Sequence, residues 1–391
     1  MKQPKEKLSF KVSLLSLSLF LMMAPQIASA IPLMYEAFPK ISKAAIETLV
    51  TIPNFGIMAG LFLSPIVIRY IGQKKTILSG LIVALVAGTF PIYADQYVLI
   101  LISRFLVGVG IGLFNSLAVS LIPQFYQDSE EECASMLGFQ NVMGSIGAAL
   151  SSFLVGYLVT VSWHAAFAIF FLIIPVLIAF TIFVPLDEGG SQTQRGHKEK
   201  QEINGKVTLI ASLMFTIFLL FMPITFKIPS LIVQERMGDL STSALISGVT
   251  TLIGIPIGAS FGLVFKVLRD KIFPLGFLIV TCSFLVVSLS SQLWLLIVGV
   301  LLIGLGFGLA IPYMYNWLGW AAPQGSINLA TTLVLIMVNI GCFLSPSLMG
   351  FLSGFLTVTD ARAVFYVSTI GFALIFIYSL FHYVKVHKLV V

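Results

Sequence analysis

Charged residues are missing from most of this chain, and the gaps between them are long and regular. Nine stretches hold no Asp, Glu, Lys or Arg: 12–35, 48–68, 76–94, 105–127, 133–186, 207–226, 240–265, 272–359 and 363–384. A helix needs about 20 mostly apolar residues to cross ~30 Å of hydrocarbon, so each of the shorter stretches predicts one membrane span. Stretch 133–186 has room for two, broken near Thr160 to His164, and 272–359 for three, broken at Ser288 to Gln292 and at Gly319 to Gln324. The pattern predicts an all-α integral membrane protein with twelve transmembrane helices.

The basic residues orient these spans, because Lys and Arg collect in short cytoplasmic loops. With the N-terminus inside, the cytoplasmic set is Lys2, Lys5, Lys7, Lys11, Arg69, Lys74, Lys75, Arg195, Lys198, Lys200, Lys206, Lys266, Arg269, Lys271, Lys385 and Lys388, or sixteen of the 22 Lys and Arg. Lys40, Lys43, Arg236 and Arg362 fall outside, and Arg104 and Lys227 lie within or at the end of spans. A thirteenth span would carry Lys385 and Lys388 outward, so an even count is favoured and both termini are expected in the cytoplasm.

Composition agrees with this reading. The chain is 58% hydrophobic and 10% charged, against roughly 25% charged in a soluble domain, which excludes a soluble globular protein. Its 33 Phe exclude disorder. The net charge of +6 is explained by topology and leaves no contiguous basic face for nucleic acid. Lys2, Lys5 and Lys7, the apolar run from Leu8 to Ala24, and Ala28-Ser29-Ala30 imitate a cleavable secretory signal. Removing that segment would leave eleven spans, and it is read here as span 1. Cys133, Cys282 and Cys342 have no metal-like or disulfide-like spacing and read as packing residues, with Cys133 in a cytoplasmic loop.

One polar segment, 186–205, separates six spans (1–185) from six (206–391) and reads as a cytoplasmic linker. A fold of two six-helix halves should repeat weakly, and a shift of 196 residues shows this. It lays Gly108-Val109-Gly110-Ile111-Gly112-Leu113 on Gly304-Leu305-Gly306-Phe307-Gly308-Leu309, Ser64 on Ser260 and Lys75 on Lys271. Small residues let membrane helices approach closely, so the repeat marks equivalent packing sites.

In span 4, Ser103-Arg104-Phe105-Leu106-Val107-Gly108-Val109-Gly110-Ile111-Gly112 resembles the R-x-x-x-G-x-G-x-G pattern of the major facilitator superfamily, and the likeness covers essentially the whole chain. The family's loop between spans 2 and 3 reads G-x-x-x-D-R-x-G-R-R/K. Here Gly60, Arg69, Gly72, Lys74 and Lys75 resemble its gating motif, with Arg69 standing where the acidic residue belongs. Span 5 carries Gly138, Gly144, Gly147 and Gly156, similar to but looser than the Gly-Pro pattern of the family's exporters. The subgroup most resembled is that of bacterial drug and sugar efflux, drug:proton antiporter-like proteins. The resemblance implies a monomeric carrier of the cell membrane that takes a small-molecule substrate, is surrounded by lipid, and is coupled to protons.

By that resemblance spans 1, 4, 7 and 10 line the substrate path. Their candidates are Gln26, Arg104 and Asn115, then Phe215, Phe218 and Met222 with Lys227 near the outer end of span 7, then Tyr313, Tyr315, Asn316 and Trp317. Packing or interface anchoring is an alternative role for the aromatic ones, and Gln140 and Asn141 in span 5 suit interhelical hydrogen bonds as well as substrate. Arg104 is the one unambiguous intramembrane charge, suited either to substrate or proton contact or to tying span 4 to carbonyls or a carboxylate on spans 1 and 2. No Asp, Glu or His lies in mid-span, and His164 reads as interfacial. Proton coupling would therefore run through Glu36, Glu47 or Asp95, with Arg104.

Few hydrogen-bonding groups face that path, and such a cavity cannot replace the hydration of a sugar. The pattern therefore predicts a secondary active transporter working by alternating access and exporting a lipophilic or amphiphilic molecule. The alternative is proton-coupled or facilitative uptake of a sugar, organic acid or other metabolite, and facilitated diffusion without coupling stays open. No metal-spaced cluster, nucleophile–base pair or phosphate loop is present, so neither an enzyme nor a cofactor-bearing or ATP-driven pump is expected.

Overall fold

The computed structural model describes residues 7–126, 129–185, 202–323, 326–356 and 360–388, and these are almost entirely helical. Asp128, and residues 186–201 of the expected linker, lie outside the described residues. Contacts divide the chain into two compact units, Met1–Gly196 and His197–Val391.

In the first unit, α1 is a bent pair, Leu8–Phe20 and Ala24–Ala37, meeting at 50°. The bend precedes Pro25, whose ring and missing N–H interrupt a regular helix. A continuous stretch follows, Lys43–Ile92, of 50 residues. At 1.5 Å per residue that is ~75 Å, far more than one bilayer crossing. Gly72, at φ 81° and ψ 167°, breaks it into α2 (43–71) and α3 (73–89), because only glycine adopts that backbone without strain. Next come α4, Tyr97–Phe125, and α5, Glu130–Leu158. The last is α6, Ala165–Phe183, which begins as a 3-10 turn.

The second unit holds α7, Gly205–Gln234, with a break at Pro223, and α8, Leu240–Leu268. It continues with α9, Ile272–Leu289, and α10, Leu293–Ala321. It ends with α11, Ile327–Ser353, and α12, Asp360–Lys388. Among the described residues, resolving the stretch at Gly72 and joining the bent pair gives twelve spans. The interruptions in both long apolar stretches fall where the polar positions place them: α5 ends at Leu158 and α6 begins at Ala165, and α9 ends at Leu289 and α10 begins at Leu293.

The glycine ladder of α4 holds the first unit together. A Cβ on Gly108 would stand 2.1 Å from the Pro53 carbonyl oxygen, and one on Gly112 2.4 Å from that of Ile57, both on α2. On the opposite side a Cβ on Gly110 would stand 2.6 Å from the Gly80 oxygen on α3. Alternate glycines therefore seat α4 against two helices at once, backbone to backbone. Gly56 and Gly60 of α2 reciprocate, at 2.1 Å from Phe105 O and 2.4 Å from Val109 O. The repeat in α10 is looser. Gly306 lies over Gly276 and Val280, as Gly110 lies over Gly80, but a Cβ on Gly304 would meet only the Thr250 methyl, at 3.6 Å. Phenylalanines fill the second unit's core instead, among them Phe273, Phe277, Phe284, Phe365 and Phe372, all buried.

Candidate functional site

Arg104 is completely buried, one of the largest side chains in the core. Its Nε donates to the Leu49 carbonyl of α2 at 3.0 Å, and Nη2 donates to the Ala24 carbonyl beside the bend of α1. The Leu49 carbonyl is available for a local reason. Its helical partner would be the amide of residue 53, and Pro53 has no N–H. In hydrocarbon a free carbonyl is expensive, so the guanidinium takes the place of the missing donor. Phe167 and Phe170 of α6 lie 5.8 and 5.7 Å from the Arg104 guanidinium carbon, where ring faces attract a cation. Nη1 has no hydrogen-bond partner among the described residues. Of the two roles open to this residue, the observed contacts are those that tie α4 to carbonyls of α1 and α2, and one donor remains over.

Glu36, Glu47 and Asp95 separate by burial. Glu36 is exposed, whereas Glu47 is 1% exposed and accepts from the Tyr35 hydroxyl. The Lys43 ammonium sits 5.9 Å over the Tyr35 ring. Tyr35 lies twelve residues before Glu47 across a helix boundary, and no sequence spacing joins the two. Asp95 is exposed and meets His164 Nε2 at 3.0 Å, with His164 stacked on Trp163. The pair ties the loop before α4 to the start of α6.

The substrate candidates differ in burial and in the partners they engage. Gln26 is half-buried and its amide donates to Met22 O of its own helix at 3.1 Å. Asn115 is half-buried on α4. Phe218 makes edge contacts with Phe221 and Phe307, while Met222 is buried at the α7 break. On α10, Tyr313 and Trp317 are buried one turn apart, and the Tyr313 hydroxyl donates to Asp270 at 3.0 Å. Tyr315 and Asn316 face elsewhere and are half-buried. Gln140 is buried on α5, and the Asn141 side chain lies outside the described residues.

The loop motif has a packing role. Gly60 seats α2 on α4, and Gly72 forms the turn. Lys74 Nζ donates to the Thr181 carbonyl at 3.0 Å, in the last turn of α6, where a cation complements the negative helix end. Arg69 and Lys75 are exposed.

The second unit has a clamp that the charge pattern did not reveal. Arg362 donates through Nε to Glu235 at 2.8 Å, and through its two terminal nitrogens to the carbonyls of Ser288 and Ser290 at 2.9 and 2.8 Å. One guanidinium thereby ties the start of α12 to the ends of α9 and α7. The hydrogen bond from Arg362 holds the Glu235 carboxyl below the ordinary glutamate range.

Apolar helices long enough to cross a bilayer, gathered in two compact units, define a multi-pass membrane protein. Residues 12–289 match the Major Facilitator Superfamily, and the chain belongs to that family. Solved structures share the fold at low identity. A nucleoside transporter, NupG, superposes with a TM-score of 0.77 at 10% identity, covering 96% of this chain and 99% of that one. A POT family transporter in complex with 5-aminolevulinic acid gives 0.78 at 12% identity, covering 96% of each. A D-xylose-proton symporter gives 0.74 at 14%, covering 95% of this chain and 96% of that one. No curated protein matches the sequence.

Proposed function

We propose that this chain is a secondary active transporter of the cell membrane, exporting a lipophilic or amphiphilic small molecule by alternating access of its six-helix halves, with protons as the coupled ion. The reading rests on how the polar side chains of the candidate helices are engaged. Gln26, Arg104 and Tyr313 each donate to protein acceptors, which leaves the spare Arg104 nitrogen, Asn115, Tyr315, Asn316 and the Trp317 indole among the candidates to serve a substrate. So few groups cannot replace the hydration shell of a sugar or nucleoside, whereas Phe218, Phe221 and Phe307 suit an apolar molecule. For coupling, Glu47 is the buried carboxylate of the outer cluster and can pass a proton to or from the hydrogen bond it shares with Tyr35.

The test is transport by the purified chain in liposomes with and without an imposed pH gradient. Accumulation of a lipophilic dye that follows the gradient, without ATP, is expected. Glu47→Gln should flatten the pH dependence while Glu36→Gln leaves it unchanged. Gradient-driven uptake of a sugar or nucleoside, with no movement of lipophilic compounds, would overturn the export reading. An unaltered pH profile in Glu47→Gln would remove that residue from the coupling.

A further inference from the structure

A cavity of about 740 Å³ opens at the lysine-rich end of the second unit. Its inner wall is aromatic: Phe273 stacks on Tyr313 with ring centres 5.3 Å apart, and Trp317 lies 4.5 Å from His382. Lys206, at the start of α7, and Lys385, near the end of α12, supply cations. The titratable groups lining it are Lys206, Asp270, Tyr313, Tyr378, His382, Tyr383 and Lys385. Among the described residues that line it, Asp270 is the one acid against Lys206 and Lys385, so the lining carries a net positive charge, and the Asp270 carboxylate accepts from the Tyr313 hydroxyl. Trp320 and Phe381, both well exposed, form the rim.

The walls are fixed in place. Asn204 caps α7 by accepting from the Val207 amide at 2.8 Å and donates to the Ala321 carbonyl at the end of α10 at 2.7 Å. That bond holds Lys206 and Trp320 to one end of the unit. Aromatic residues with a polar edge and lysines mark the depth at which lipid headgroups lie, and basic pockets between helices at the cytoplasmic face accept anionic headgroups.

We propose that this cavity is a binding site for an anionic phospholipid of the adjacent leaflet, its phosphate held by Lys206 and Lys385 and its glycerol and upper chains laid against Trp320 and Phe381. The site belongs to one unit and is independent of which substrate the protein carries. The charge of the cavity selects an anionic over a zwitterionic headgroup, and the apolar rim selects a lipid over a free phosphate.

The experiment is quenching of the tryptophan fluorescence of the full chain in vesicles by brominated lipids. Brominated phosphatidylglycerol should quench at lower mole fraction than brominated phosphatidylcholine. Lys206→Gln and Lys385→Gln should each weaken that preference by about fivefold, the effect of one surface lysine. Both replacements lie at helix ends, and an unchanged circular dichroism spectrum verifies the fold. Equal quenching by the two lipids, or a preference untouched in the double variant, would overturn the proposal. Loss of the preference on adding millimolar inorganic phosphate at constant ionic strength would assign the site to a soluble phosphate and overturn the lipid.

Discussion

Proline and its carbonyl partner explain why a charge and a serine hydroxyl are buried in this protein. Pro53 leaves the Leu49 oxygen without a helical donor, and Arg104 supplies one. Pro223 does the same to Leu219, and Ser345 of α11 donates there at 2.7 Å. Ser368 of α12 donates to the neighbouring Leu220 oxygen at 2.8 Å. The same chemistry thus fastens helices in both units, with an arginine in one and a serine in the other. Arg104→Gln should lower stability by about 1–3 kcal/mol, the cost of stripping buried acceptors. Adding Pro53→Ala to that variant restores an amide donor for Leu49 and should recover part of the loss. Thermal unfolding of the four proteins in one detergent measures both effects. Equal losses with and without Pro53 would show that the freed carbonyl is not what Arg104 serves.

Helix junctions follow the same logic with backbone angles and ion pairs. The turn between α2 and α3 uses Gly72, whereas the corresponding turn between α8 and α9 places Arg269 at φ 46° and ψ −126°. A side chain there is strained by about 1–3 kcal/mol, so Arg269→Gly should raise the unfolding temperature and Gly72→Ala should lower it. Glycine contacts rank similarly. Gly108→Ala drives a methyl into the Pro53 carbonyl and should cost about 1–3 kcal/mol, while Gly304→Ala meets only ordinary contact and should be tolerated. At the Glu235–Arg362 clamp, the Glu235 carboxyl has a lowered folded-state pKa, so its contribution is present above the ordinary glutamate value of ~4.3. It is lost as pH falls through the lowered value. Glu235→Gln should therefore melt below wild type at pH 7 and converge with it in acid, and curves that stay apart would show that the carboxylate charge is not the stabilising element.

At the scale of the whole molecule, the charge-free stretches make a claim about sidedness. With both termini in the cytoplasm, a cysteine at position 236, between α7 and α8, should react with an impermeant thiol reagent on intact cells. A cysteine at position 266, near the other end of α8, should react only after permeabilisation. The reverse pattern would invert the topology. The spans themselves were legible because a bilayer imposes one strong rule on sequence, a minimum length of apolar residues. The site was only half legible. Arg104 stood out as a charge in an apolar helix, and Glu47 was one of three outer carboxylates until burial singled it out. Tyr35, the Glu235–Arg362 clamp and the Asp270–Tyr313 pair join residues far apart in the chain, and no local spacing announces them.

Sequence alone determined the number of helices, the twofold repeat and the family, since each follows from hydropathy, glycine spacing or a short motif along one chain. Tertiary structure decided which of those residues have work to do. It showed which face each glycine of α4 presents, which carbonyl a proline has freed for Arg104, and which carboxylate is withdrawn from water. Those outcomes depend on what lies across a helix interface a few ångströms away, and hydropathy along the chain carries no information about the neighbour.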